Sequence, residues 1–185
     1  MEFVHLIGIA GLLATAVLLW RGGDGWARPL GAYGAAWLAA GWALGLLWTP
    51  GERHMGDIGR MLYVHVPVAW LAMVVFTIGF AAAVGYLWSG QDRYDWTVEA
   101  STEVGIVLNV LLLVTGSLFA RETWGTWWTW DPRLVTSTTM LFTFVAVLVL
   151  RENLPESRRA DWTAVATVLA YVNVPLTYTV VRYLP

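Results

Sequence analysis

The sequence contains no cysteine and no lysine, and only 13% of its 185 residues are charged. The missing cysteine excludes disulfides and thiolate metal sites. All eleven basic residues are arginine, the net charge is −2, and no basic patch of the kind that binds nucleic acid is present. Soluble domains average about 25% charged residues, so this scarcity of charge points to a lipid environment.

In place of charge the chain has apolar sequence: 58% of its residues are hydrophobic and the mean hydropathy is +0.60. Runs of about 17–25 apolar residues are long enough to cross a bilayer as helices. The first run lacks the basic front and the cleavage site of a signal peptide. We therefore predict an all-α integral membrane protein, a single domain over residues 1–185 built as a bundle of six transmembrane helices, at about 3–20, 30–48, 62–88, 100–120, 134–151 and 161–181.

The placement of arginine predicts the orientation of these spans. With both termini outside, the inner loops hold six arginines and the outer segments five, and the first span is followed by Arg21 and Arg28 but preceded by none. We therefore predict external termini. By parity, the loop before the third span, the connection after the fourth and the end of the sixth then share the outer side.

That connection, residues 124–133, reads WGTWWTWDPR and has four tryptophans in seven positions. An ordinary interfacial belt is the alternative explanation, but belts scatter one or two tryptophans per helix end. The density predicts a short Trp-rich segment, residues 122–132, lying in the plane of the interface and offering a flat aromatic surface to a flat apolar ligand. If the segment is helical, one face collects Trp124, Trp127, Trp128 and Asp131, with Trp130 flanking them.

Asp131 and Pro132 have a structural explanation of their own. Aspartate is a preferred N-cap residue, and proline is favoured at the first position of a helix. We predict that Asp131 caps the fifth span, which leaves open a second role in orienting a ligand.

Three histidines are present: His5, His54 and His65. His65 lies in an apolar run two residues before Pro67, where the proline predicts the start of a helix or a kink. A lone histidine on an apolar surface is most often an interior residue with a hydrogen-bond partner. Neutral imidazole is also a common axial ligand of heme iron, and ionisable groups at membrane depth are functional candidates. Both interpretations stay open from the residues alone, whereas His54, beside charged neighbours, is typical of a solvated loop.

The other polar residues within the spans are explained by hydrogen bonds between helices, with a hydroxyl run that is also suited to lining a cavity; they are Asn109, Thr115, Ser117, residues 136–139 and Asn173. The sequence contains no Ser/His/Asp set, Walker loop or dinucleotide fingerprint. It therefore offers no dedicated catalytic residues.

Two motifs carry a family resemblance. WGTWWTWDPRL resembles the tryptophan-rich (WWD) signature of the heme-handling proteins of cytochrome c maturation. YVHVPVAW resembles the stretch that carries a heme-ligating histidine in the heme exporter protein C (CcmC) branch of that superfamily, which is related to the CcsA type. The order of the motifs also fits, and the resemblance covers about residues 30–185.

The resemblance implies a cofactor, partners and site residues. Such proteins hold heme b at the outer face of the bacterial inner membrane and present it to a CcmE-type periplasmic heme chaperone, in association with ABC transporter subunits. Promotion of covalent heme transfer would then rest on positioning alone. The alternatives are a heme-free scaffolding subunit that docks the chaperone, and a transmembrane heme transporter. By position, His65 would be an axial ligand of the iron, and the heme and chaperone surface would comprise Trp124, Trp127, Trp128, Trp130 and Asp131.

The second axial ligand is the main departure from the family pattern. Relatives place a second histidine shortly after the segment that matches NVPLTYTVVRY, and this sequence reaches Pro185 before one appears. Either the chain is a shortened version, or the sixth ligand of the iron comes from elsewhere. The candidates are His5, His54 and a histidine of the chaperone, and an open sixth position is the remaining alternative. Arg60, Arg121 and Arg133 flank the motifs on the predicted outer side, where they suit either heme propionates or lipid headgroups.

Overall fold

The computed structural model describes residues 27–51 and 53–183. The predicted first span, residues 3–20, and His5 lie outside the described residues. The chain divides into two compact units, one ending at Arg60 and the other beginning at Met61.

The first unit contains helix α1, Ala27–Ala43, which continues as a π-helical turn, Leu44–Trp48. The predicted span at 30–48 is therefore helical. After a turn with Gly56 in the left-handed region (φ +60°), a 3-10 helix, Asp57–Met61, leads into the second unit. Arg60 forms an exposed ion pair with Asp57, at 3.3 Å, on this short helix.

The second unit consists of five helices: α2, Leu62–Ser89; α3, Asp92–Trp124; α4, Pro132–Asn153; α5, Glu156–Ala170; and α6, Asn173–Tyr183. The bounds of α2 and α4 closely match the predicted spans at 62–88 and 134–151. Helix α3 extends well beyond the predicted 100–120, because its polar first turns, which carry Asp92 and Asp95, are helical too.

Four stretches of the described residues are long and apolar enough to cross a membrane: Asp57–Ser89, Asp92–Trp124, Pro132–Asn153 and Glu156–Tyr183. The all-helical, multi-pass architecture is therefore confirmed. The count of six spans is not reached within the described part of the chain, since α1 is not among the four. The single-domain assignment over 1–185 stays a prediction.

The core of the second unit is built around Phe76 of α2. Its ring stacks on Phe144 of α4 with 3.7 Å between centroids, and both side chains are almost fully buried. Gly105 of α3 makes room for the ring, because a Cβ atom there would lie 2.3 Å from Phe76 Cε1. Small residues at such contacts let membrane helices approach closely, and here they set the spacing of α2, α3 and α4.

The predicted span at 161–181 is broken into α5 and α6 by a turn at Tyr171 and Val172. The Asn173 side chain donates to the Ala170 carbonyl (3.1 Å) and to Thr143 Oγ1 on α4 (3.3 Å). Pro175, which has no N–H, lies directly after the break. The Tyr171 ring stacks on Phe80 of α2 at 4.2 Å, so the turn is packed against the bundle.

The Trp-rich segment is not helical between Gly125 and Asp131, so the shared face that a helix would create does not form. Helix α3 ends at Trp124 because Gly125 adopts φ +74° and its N–H bonds to the Arg121 carbonyl (3.0 Å), a left-handed C-terminal cap. Residues 125–131 are irregular, and α4 begins at Pro132.

An ion-pair cluster lies at the other end of the second unit from the Trp-rich connection, where α3 begins and α4 ends. Arg151, near the end of α4, donates to both carboxylate oxygens of Asp95 (2.7 and 2.9 Å) and to Glu99 (2.9 Å) on α3. Thr163 of α5 approaches the same guanidinium at 3.5 Å. Arg151 is buried, and its contacts join α3, α4 and α5 at this end of the unit.

Candidate functional site

A cavity of about 260 Å³ opens in the second unit where α2 and α4 begin and α3 and α6 end. Polar side chains from α2, α4 and α6 and the Trp124 indole of α3 reach its wall, and apolar side chains fill the space between them. Its lining includes Leu62, His65, Gly116, Phe119, Trp124, Asp131, Arg133, Ser137, Thr177 and Val181.

His65 lines this cavity and also a second one of about 440 Å³. The second cavity is bordered by Trp70 of α2 and by Tyr178 and Arg182 of α6. Small-molecule sites occupy about 300–1,000 Å³, so the two spaces beside this imidazole together match the size of a ligand site. His65, Ala69, Met73 and Val181 line both spaces, so the imidazole lies on a wall that the two cavities share.

The imidazole of His65 is held from α3. Its Nδ1 lies 2.9 Å from the Thr115 hydroxyl oxygen. A Cβ atom built on Gly116 would lie 3.2 Å from His65 Cε1, so the ring edge rests against that glycine. The expectation that Thr115 bonds between helices is confirmed, as it is for Asn109, whose side chain donates to the Ser137 carbonyl of α4 at 3.3 Å.

Asp131 is the N-cap of α4, as predicted. Its Oδ1 accepts from the Arg133 backbone N–H (2.8 Å), and Pro132 occupies the first helical position. The same oxygen accepts from Arg133 Nε at 3.1 Å. Capping therefore also places a carboxylate and a guanidinium at the cavity wall, beside the same opening as His65.

The four tryptophans separate into two groups. Trp124 ends α3 and lines the cavity with His65. The other three lie on the irregular connection and do not line the cavity. All four side chains are exposed: Trp124 by 53%, Trp127 by 58%, Trp128 by 37% and Trp130 by 83%. Trp128 and Trp130 meet edge to face at 5.9 Å, and Arg121 lies 6.0 Å from the Trp127 ring.

The sequence-predicted site residues are thus gathered in part. His65, Trp124 and Asp131 border one cavity, whereas Trp127, Trp128 and Trp130 do not line it. His54 and Arg60 belong to the first unit. Among the described residues, no group of three histidine, aspartate or glutamate side chains is arranged to hold a metal ion.

Three residues that line the cavity or contact His65 were not assigned to the site from sequence. Thr115 was predicted only as an interhelical hydrogen-bonding residue, and Gly116 carries no side chain that could signal a contact. Thr177 of α6 is buried, and its hydroxyl has no hydrogen-bond partner within the described part of the chain. A buried unpaired hydroxyl at a cavity wall is free to bond to an occupant.

Comparison with known proteins supports the resemblance of the motifs. The family model for heme exporter protein C (CcmC) matches residues 10–184. Heme exporter protein C of Escherichia coli K12 is 32% identical over 155 residues, which cover 82% of this chain and 63% of that protein. The protein of the same name from Bradyrhizobium diazoefficiens is 32% identical over 148 residues, covering 76% of this chain and 56% of the relative.

A more distant relative is a ccmC-like mitochondrial protein of Marchantia polymorpha named for cytochrome c biosynthesis, 26% identical over 145 residues. The match covers 77% of this chain and 61% of that protein. The chain thus spans somewhat less than two thirds of the length of these curated relatives. With a family model that matches nearly its whole length, the chain belongs to the heme exporter protein C (CcmC) family.

Proposed function

We propose that this protein binds heme b at the periplasmic face of the bacterial inner membrane and presents it to a CcmE-type periplasmic heme chaperone during cytochrome c maturation. In this proposal it acts together with ABC transporter subunits. The observation that carries the proposal is the cavity that brings His65, Trp124 and Asp131 to one end of the second unit. Membership in the heme exporter protein C family supports heme as the cargo.

The lining of the cavity suits heme. Neutral imidazole is a standard axial ligand of heme iron, and His65 is the one histidine on this cavity wall among the described residues. The apolar lining from Leu62, Phe119 and Val181 suits the faces and edges of a porphyrin. Heme would supply the iron and the reactive vinyl groups, while the protein supplies a ligand, an apolar wall and an orientation.

Arg133 is a cation on the cavity wall that is placed to pair with a heme propionate. Its Nε–H is taken by Asp131. Within the described part of the chain, no acceptor bonds to its terminal N–H groups, and the residue lines the cavity. Charge-assisted bonds from arginine to carboxylate are among the stronger hydrogen bonds in proteins. Asp131 would then act through Arg133, holding the guanidinium at the rim.

The three tryptophans outside the cavity are assigned to the chaperone. Trp127, Trp128 and Trp130 are exposed on a connection that borders the site. Tryptophan is enriched in the energetic centres of protein–protein interfaces. A heme held beside such a surface would be within reach of a docked partner, so that transfer depends on positioning, with no catalytic acid or base from this chain.

Heme spectroscopy tests the ligand assignment. The wild-type protein, produced in cells supplied with heme and purified in detergent, is expected to show a Soret band. His65→Ala is expected to lose that band or shift it, while His54→Ala serves as the matched control and retains it. A wild type without heme, or a His65→Ala variant with an unchanged spectrum, contradicts the assignment.

A second candidate function is a heme-free scaffolding subunit that docks the chaperone through its tryptophans. The observation in its favour is that three of the four tryptophans do not line the cavity. Pull-down of the chaperone by heme-free His65→Ala protein at wild-type strength would support this function over heme presentation. If His65→Ala loses both heme and chaperone binding, the result would support heme presentation.

A further inference from the structure

The hydroxyl of Thr115 is engaged on two sides. It lies 2.8 Å from the Leu111 carbonyl and 3.1 Å from the Leu112 carbonyl, one turn earlier on α3. It also lies 2.9 Å from His65 Nδ1 on α2. A hydroxyl has one proton to donate and two lone pairs to accept with.

A backbone carbonyl of α3 is the expected acceptor of this single proton. Threonine in helices commonly donates to the carbonyl four residues earlier, and both carbonyls near Thr115 are acceptors only. With that proton on a backbone carbonyl, the Thr115 oxygen accepts from His65, which assigns the proton of the neutral ring to Nδ1. A neutral imidazole has one N–H, so the lone pair lies on Nε2.

We propose that Thr115 is a positioning residue that fixes His65 in the Nδ1–H tautomer, with Nε2 as the nitrogen available to an iron ligand. The inference rests on the proposed function for its purpose, but the tautomer itself is independent of heme. Residues that bond the second nitrogen of a metal-ligating histidine set its tautomer and ring orientation. Thr115 would do so from inside a membrane helix.

Gly116 supports the same role sterically. The Cε1 edge of the ring lies where a Cβ atom at residue 116 would be only 3.2 Å away. Because Cε1 lies between the two ring nitrogens, contact there limits rotation of the imidazole away from Thr115. Thr115 and Gly116 together hold the ring in place. Thr115 contributes a hydrogen bond, and Gly116 leaves room for the ring edge because it has no side chain.

The tautomer is tested without heme by nitrogen NMR. The protein is labelled with ¹⁵N-histidine in lipid, in a His5→Gln, His54→Gln background that leaves one imidazole. We expect Nδ1 to be protonated and Nε2 unprotonated in the parent and in Thr115→Ser. Thr115→Val, which keeps the shape and removes the acceptor, is expected to populate both tautomers.

Thr102→Val is the matched control. Thr102 is buried on the same helix and donates to the Val98 carbonyl at 2.7 Å, but it lies 13 positions from Thr115. It is expected to leave the His65 signals unchanged. A parent with the proton on Nε2, or a Thr115→Val variant with the parent's tautomer, overturns the proposal.

Heme titration then connects the tautomer to binding. Loss of a partner that orients a metal ligand typically costs about 10–100-fold in affinity, and we expect that loss in Thr115→Val, with recovery in Thr115→Ser. Unchanged affinity in Thr115→Val, in a protein where His65→Ala abolishes binding, refutes the positioning role and leaves the proposed function standing. Heme retained by His65→Ala refutes the proposed function instead, while the NMR result still decides the tautomer.

Discussion

The two ends of the second unit use polar groups in different ways. At one end, Arg151 meets Asp95 and Glu99 in a cluster where the buried charge is matched by carboxylates of the same chain. At the other end, His65 bonds to Thr115 within the described part of the chain and lines two cavities. A charged group that is paired with carboxylates of the same chain holds helices together, whereas an imidazole on a cavity wall is accessible to a ligand.

The ends are well separated along the helices. Asp95 and Thr115 are 20 positions apart on α3, which at about 1.5 Å per residue is about 30 Å, close to the thickness of a bilayer core. The ion-pair cluster and the ligand site therefore belong to opposite boundaries of the same bundle. Substitutions at one end should affect stability, and substitutions at the other should affect binding.

The largest effect on stability is expected for Arg151→Met. Removing the guanidinium leaves the Asp95 carboxylate, which is 15% exposed, and the Glu99 carboxylate, which is 44% exposed, unmatched. The cost is about 3–5 kcal/mol for a fully buried pair and less for these partly exposed carboxylates, so we expect a lower unfolding midpoint in detergent. Thermal unfolding followed by circular dichroism measures it. Arg158→Met, an exposed arginine of α5, is the matched control and should change the free energy of unfolding by less than about 0.5 kcal/mol. An Arg151→Met protein as stable as the control would remove the distinction between the ends.

The next largest effect is expected between the ends, at Gly105→Ala. The added methyl group would collide with the Phe76 ring, which cannot retreat because it stacks on Phe144. Overpacking of this kind typically costs about 1–3 kcal/mol. The unfolding midpoint should fall, while Gly34→Ala on α1, where no described atom lies within 4 Å of the new methyl group, should not lower it. An unchanged midpoint in Gly105→Ala would mean that α2 and α3 can separate at this contact.

A smaller effect on stability is expected for His65→Ala in the heme-free protein. The change removes one hydrogen bond, worth about 0.5–1.5 kcal/mol, and a half-buried ring beside existing cavities. Heme binding should nevertheless be lost. A fall in stability as large as that of Arg151→Met would mean that His65 is a structural residue, contrary to the comparison.

The smallest effect on stability is expected for Trp130→Ala. The indole is 83% exposed, and its ring contact is with Trp128. The free energy of unfolding should change by less than about 0.5 kcal/mol, and the Soret band should persist, while affinity for the chaperone falls. Trp124→Ala, at the cavity wall, should reduce heme affinity instead. Equal effects of the two variants on heme would contradict the division of the tryptophans into two groups.

Much of the fold follows from local signals that the sequence displays. Apolar runs predict where α2 and α4 lie, because the bilayer requires long uninterrupted helices. Asp131 and Pro132 predict the start of α4, because capping chemistry depends on two adjacent residues. Gly125 is also a local signal, and its left-handed conformation explains why the Trp-rich segment is not helical.

Other features depend on contacts between distant residues, which no local pattern contains. Arg151 was counted from sequence only as a charge in an inner loop. Its partners lie 52 and 56 positions away, and only the packing of α3 against α4 brings them together. In the same way, Thr115 lies 50 positions from His65, so its role at the imidazole appears only once α2 and α3 are paired.

The break between α5 and α6 lies between these cases. Asn173 and Pro175 are visible in the sequence, and proline removes a backbone donor. The apolar run continues through residues 171–176, however, so the span was predicted as continuous. The turn is secured by Tyr171 packing on Phe80, which again requires the assembled bundle.

The connection that carries the tryptophans is fixed at its two ends by the backbone of Gly125 and the carboxylate of Asp131. Neither anchor involves an indole. The course of the chain between the helices is thus specified separately from the aromatic side chains displayed on it, and those side chains can be exchanged without redesigning the connection. The connection is therefore an exchangeable loop between two fixed helix ends. Under the proposed function, its exposed side chains form a partner surface that can vary while the cavity beside it stays the same.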